Sequence, residues 1–138
     1  MFWFRRWRVD RSRLQVLRGL SRIFSSENSR EARGLRLLRS WLTPEQCAQF
    51  DAERSFEVIG CDSGRRYRIR YGTMSNVLEI DDAGCPKVGW CFVPVGSLVA
   101  GDIMLAQKIA LETNESGALA VANAFLPKNS PSNTCVPY

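Results

Sequence analysis

The chain contains no histidine. That absence excludes Ser-His-Asp and Cys-His nucleophile pairs, histidine-ligated zinc or iron, and an imidazole general base. Long apolar runs are also missing. Arg5, Arg6 and Arg8 break up the aromatic opening Met1–Arg8, so the apolar stretch of ~7–15 residues that a secretory signal needs does not form. Nothing downstream approaches the ~18 uninterrupted apolar residues of a membrane span. The expected location is therefore cytoplasmic. The five cysteines, Cys47, Cys61, Cys85, Cys91 and Cys135, include no Cys-x-x-Cys pair, the spacing of zinc ribbons and dithiol redox sites. They read as buried or incidental thiols, with Cys61 and Cys85 the most exposed. A zinc site built from Cys61, Cys85 and Asp62 would require a convergence that no spacing predicts. Neither a metal nor a cofactor is expected.

What the sequence does contain is typical of one globular domain: 138 residues, 45% hydrophobic and 24% charged. The net charge of +5 is unevenly placed. Residues 1–40 hold eleven Arg against Asp10, Glu27 and Glu31, a surplus of eight positive charges, so the remainder carries a surplus of three negative ones. A basic arm, residues 1–28, thus precedes a mildly acidic domain, residues 29–126, and a Pro/Ser/Asn-containing irregular tail, 127–138. Asp10 is placed to cap a helix reaching Phe24, with Leu14, Leu17 and Phe24 on one stripe and Arg11, Arg18 and Arg22 on another. Such a helix suits an anionic membrane surface or phosphates, and any membrane contact is expected only through residues 1–24. Docking on the domain and an over-extended translation start are the two readings beside it.

In the domain, Leu35, Leu38 and Leu42 predict a helix over 29–42. Thr43-Pro44-Glu45-Gln46 is a capping box with Pro at the first helical position, predicting a helix from Pro44 to about Glu53. After Arg54 the period changes to two. Strands are expected around Phe56–Ile59, Tyr67–Tyr71, Asn76–Ile80 and Lys87–Val93, separated by Gly/Asp turns. Asp102 reads as the cap of a largely buried helix over 103–112, followed by a second helix over 118–125. The fold class is α+β, a four-stranded antiparallel meander flanked by N-terminal and C-terminal helices. Its expected core is Tyr67, Ile69, Tyr71, Leu78, Ile80, Val88, Trp90, Phe92, Ile103, Leu105 and Ile109.

Candidate chemistry centres on Arg65-Arg66-Tyr67-Arg68-Ile69-Arg70-Tyr71. Strand alternation sends the tyrosines inward and sets Arg66, Arg68 and Arg70 in an outward row, with Arg65 reinforcing it. The row suits nucleic-acid phosphates or an acidic protein surface. Strand parity also places Glu57, Glu79 and Lys87 on that face, four cations against two acids, so a cross-strand charge ladder is the competing reading. Asp81-Asp82 reads as a turn, and Lys108 with Glu112 as a surface ion pair one helical turn apart. No catalytic residues are expected; an enzyme using Cys61 or Cys91 as nucleophile would need an unusual base.

The runs Trp41-Leu42-Thr43-Pro44-Glu45-Gln46, Gly64-Arg65-Arg66-Tyr67-Arg68-Ile69, Asn76-Val77, Cys91-Phe92-Val93-Pro94 and Gly101-Asp102-Ile103-Met104-Leu105-Ala106-Gln107-Lys108 carry a resemblance. Over Leu37 to Asn123 the chain resembles a group of short uncharacterised bacterial and phage-type proteins. The resemblance implies a stand-alone module of this size and brings no activity or catalytic residue. The expectation is a small non-enzymatic binding or accessory module using Arg65, Arg66, Arg68 and Arg70. A membrane-peripheral protein held by the arm is the alternative.

Overall fold

The computed structural model describes residues 29–128, together with Gln15 and Arg18, which are helical and exposed. The rest of the expected arm helix, and the tail beyond Lys128 with Cys135, lie outside the described residues. Helix α1 (Arg30–Trp41) starts where the Ser29 hydroxyl accepts the Ala32 N–H at 3.1 Å. Helix α2 (Pro44–Glu53) carries the predicted capping box. Thr43 Oγ1 accepts from the Gln46 N–H at 3.2 Å, and the Gln46 side chain accepts from the Thr43 N–H at 3.1 Å. The chain leaves α2 at Arg54, whose φ of 54° lies in the left-handed region. The Arg54 guanidinium sits 4.5 Å from the Tyr71 ring centroid, and its carbonyl accepts the Tyr71 N–H at 2.9 Å, which fixes the entry into the sheet.

Among the described residues, five antiparallel strands follow in spatial order β1 (Ser55–Ile59), β2 (Arg66–Arg70), β3 (Val77–Ile80), β4 (Pro86–Cys91) and β5 (Asn123–Phe125). Helices α3 (Ala100–Thr113) and α4 (Glu115–Val121) come between β4 and β5. The expected meander is present, and a fifth strand extends it. The helix expected over 118–125 is a misreading corrected by α4 and β5. Phe125 pairs with Gly89, and its ring stands where a Cβ on Gly89 would be, 2.2 Å from that point. Filling that notch outweighs one more helical turn for a residue that is apolar and at the end of a short helix.

Helix α3 packs over β1 and β2 and against α1. Phe56, Val58, Tyr67, Ile69 and Val77 meet Met104 and Leu111 there, each at most 2% exposed. The expected placement of β3 is corrected by its register. Ile69 pairs with Val77 and Tyr67 with Glu79, so Leu78 and Ile80 lie on the face away from α3. They are buried on that face, apart from the central cluster. Tyr71, Val88, Trp90 and Phe92 are half-buried, and Ile109 is exposed on a strip of α3 that neither α1 nor the sheet covers. Helix α3 also begins at Ala100, earlier than expected, which puts Asp102 in the first turn; Val99 is the cap residue and makes no side-chain cap bond.

The outer edge of β1 is closed by α2. Gln49 Oε1 accepts the Glu57 N–H at 2.9 Å, and Gln46 Nε2 donates to the Glu57 carbonyl at 2.8 Å. Two side-chain amides thus take the place of a neighbouring strand, protecting an edge that would otherwise offer itself for pairing. In the β2–β3 turn, Asn76 and Gln107 exchange two amide hydrogen bonds at 2.8 and 2.9 Å, both residues buried, tying the turn to α3.

Candidate functional site

Alternation along β2 separates two chemistries. Tyr67 and Ile69 enter the core, and Arg66, Arg68 and Arg70 occupy the opposite face. Glu57 stands across from Arg68 on β1 and binds two of the three. Arg66 Nη2 donates to Glu57 Oε2 at 2.7 Å, and Arg68 Nη2 lies 3.4 Å from Glu57 Oε1. Arg66 Nη1 also donates to the carbonyls of Asp81 and Asp82, each at 3.3 Å. The hydrogen bond to Glu57, followed by its charge, holds the Arg66 guanidinium above its ordinary pKa. Arg70 is exposed and donates to the Ser75 carbonyl at 3.3 Å. Arg66 is therefore tied into the sheet, while Arg68 and Arg70 retain donors not engaged in the bonds just described.

Two expected members of this face belong elsewhere. Glu79 pairs with Tyr67 and so shares the opposite face. Arg65 precedes the strand and turns toward Glu79, its Nε 3.6 Å from Glu79 Oε1. The error came from numbering parity across a turn, which fixes faces within a strand but not between strands whose register is unknown. The Arg66, Arg68 and Arg70 row consequently has Glu57 as its carboxylate, not Glu57 and Glu79. Lys87 is the extra residue where the β3–β4 register shifts between Glu79 and Ile80. It lines, with Arg65, Arg66, Glu79, Asp81 and Asp82, an open cleft of about 290 Å³ at the end of the sheet. Asp81 serves the turn as expected, its carboxylate accepting the N–H groups of Ala83 and Cys85 at 3.0 and 2.8 Å.

The residue the sequence reading missed is Glu115. It is 2% exposed, and its carboxylate collects the Tyr67 hydroxyl at 2.6 Å, the Ser63 hydroxyl at 2.5 Å and the N–H groups of Asp62 and Ser63 at 3.0 and 2.9 Å. Gly60 leaves room for it, since a Cβ there would fall 2.3 Å from the carboxylate. Burial alone would raise the carboxyl pKa; the hydrogen bonds from Ser63, Tyr67 and the loop backbone outweigh it and hold the group down at about 2. Burial and the Glu115 charge push the Tyr67 phenol well above its usual range. This is an internal anchor for the β1–β2 loop, with every donor turned inward.

The Lys108–Glu112 pair is not on the surface as expected. Lys108 is 6% exposed, and its Nζ lies 2.7 Å from both Glu112 oxygens. Cys47, Cys61 and Cys91 are free, whereas Cys85 is disulfide-bonded, which corrects its reading as an exposed thiol. Alkylation of the folded protein should therefore mark Cys61, the exposed thiol, and reach Cys85 only after reduction; mass mapping of the labelled peptides checks this. Among the described residues, no cluster of three or more Cys, Asp or Glu is arranged to hold a metal ion, and no helix is long and apolar enough to cross a membrane. Comparison with protein-family models, curated proteins and solved structures finds no match.

Proposed function

We propose that the protein is a small binding module whose outer sheet face engages an extended polyanion, either nucleic acid or an acidic protein segment. The observation that carries this reading is the charge on that face. Three guanidiniums recur on alternate residues of one rigid strand, about 7 Å apart; Glu57 binds Arg66 and Arg68, the Asp81 and Asp82 charges act on Arg66, and Arg70 has no carboxylate partner among the described residues. A ladder built only for stability would balance the row, as flanking acids do in cross-strand pairs. Arg66 supplies the framework by holding Glu57 and the β3–β4 turn. Arg68 and Arg70 supply the contacts.

These roles separate by mutation. On a sulfated-polyanion column, Arg68→Ala combined with Arg70→Ala should elute at lower salt than the unmodified chain, with a smaller fall in melting temperature than Arg66→Ala because the Arg68–Glu57 contact is the longer one. Arg66→Ala should instead lower thermal stability, by about 1–2 kcal/mol, because it strips a charge-assisted bond from Glu57. Unchanged retention of the double variant would remove the phosphate or acidic-partner reading.

A further inference from the structure

A second surface, away from the sheet, has its own character. On α1, Arg30, Arg33, Leu37 and Trp41 follow each other at spacings of three, four and four, and so share one stripe. That stripe runs beside the buried Gly34, which lines the same cleft, and Trp41 is 58% exposed. Beside it runs a loop, and no charged residue occurs between Lys87 and Asp102. Its side chains Val93, Val95 and Leu98 are exposed, Val95 at 93%. Arg30 joins the two, donating to the Ser97 carbonyl at 3.3 Å. Leu37, Val99, Arg30 and Arg33 also line one cleft, whose single acid is Asp102.

We propose that this surface seats on an anionic lipid bilayer. Trp41, Leu37 and the loop tip at Val95 would enter the headgroup boundary, while Arg30 and Arg33 meet lipid phosphates. Charge complementarity to lipid phosphates is joined there to exposed apolar groups. Isolated exposed valines are ordinary, but an uncharged loop tip and a helix stripe with Arg30 and Arg33 at one end and Leu37 and Trp41 at the other combine the basic and apolar groups that interfacial binding uses. A protein partner of the same shape would need acids facing Arg30 and Arg33 around an apolar centre; a bilayer containing anionic lipid presents both everywhere on its surface. The site is independent of the Arg68 and Arg70 face and does not rest on it.

The test is flotation of the full chain with vesicles of phosphatidylcholine alone and with about 30% phosphatidylglycerol added. The proposal expects flotation with the anionic vesicles only, weakened about fivefold or more by Val95→Asp and by Trp41→Ser, with Arg68→Ala/Arg70→Ala unaffected. Both positions are exposed, so melting curves should match the unmodified chain. Quenching by brominated acyl chains should fall in Trp41→Phe, giving a reading that does not depend on stability. No flotation would overturn the proposal. So would flotation indifferent to Val95→Asp and Trp41→Ser, which would assign lipid binding to residues 1–28. Loss of flotation in the Arg68/Arg70 variant would move the contact to the sheet. A dimer dissolved by Val95→Asp without lipid would make the surface a contact between copies.

Discussion

Glu115→Ala is expected to lower unfolding stability by about 3–5 kcal/mol, the cost of leaving buried partners of a charge without it. The Tyr67 and Ser63 hydroxyls and two loop N–H groups all point at that carboxylate, the Tyr67 hydroxyl from within the core. Glu115→Gln keeps the shape but offers an amide donor where every neighbour donates, so it should lose a substantial part of the same energy. The pH dependence follows from the depressed pKa. A carboxyl lowered from 4.5 to about 2 contributes its full stabilisation above pH 4.5. The contribution is lost as pH falls from 4.5 toward 2, about 3 kcal/mol in all. Denaturant melts between pH 7 and pH 2 should therefore show a steep acid limb that Glu115→Gln flattens. On the alkaline side, Tyr67 acts in the opposite sense. Its raised pKa means the neutral phenol is favoured in the fold, so stability declines as pH rises past 10.0, where the unfolded tyrosine ionises. An acid limb unchanged in the glutamine variant would show that the loop anchor is not this carboxylate.

The other large effect lies between α1 and α3. A Cβ on Gly101 would stand 2.3 Å from the Gly34 carbonyl carbon and 2.4 Å from its oxygen, so the two backbones touch with nothing between them. Gly101→Ala should force the helices apart and cost about 2–3 kcal/mol after the intrinsic helical gain of alanine. In a domain of this size that is a fall of about 10–20 °C in melting temperature. Gly34→Ala is the internal control. Its Cβ would meet Val99 Cγ2 at 2.6 Å and Asp102 Oδ1 at 3.2 Å, both side-chain atoms that can move. The alanine propensity gain offsets that displacement, so the expected change is within about 1 kcal/mol. Equal losses at the two positions would mean that side-chain crowding, not backbone contact, sets the helix spacing.

The local signals in the sequence were sufficient where the physics is local. Thr43-Pro44-Glu45-Gln46 encodes its own hydrogen bonds, and the alternation from Arg66 to Arg70 sorts the two sides of one strand. What failed required knowledge of partners. The face of Glu79 depends on how β3 pairs with β2, a register that the turn between them does not reveal. β5 depends on the notch at Gly89, far away in sequence. Ile109 was expected inside because the helix is apolar on most of its circumference, yet it lies on a strip of α3 that stays exposed. Glu115 gave no signal because a carboxylate at a helix start is ordinarily solvent-facing, and its burial rests on Gly60 and on a loop folded back over more than fifty residues. The Arg row lay in between. Its existence and its positive surplus were legible; which carboxylates share its face was not, because the face of Glu79 depends on the β2–β3 register.

Arg68 and Arg70, whose combined positive charge Glu57 does not cancel, are the residues proposed to bind a polyanion. The most direct measurement is fluorescence anisotropy of a labelled single-stranded oligonucleotide titrated with the full chain over a series of salt concentrations, repeated with Arg68→Ala/Arg70→Ala. The account predicts measurable binding whose logarithmic salt slope falls by about 1.4 in the double variant, roughly 0.7 for each lost phosphate contact, with the basic arm contributing equally to both proteins. Identical affinity and slope for the two proteins would contradict it.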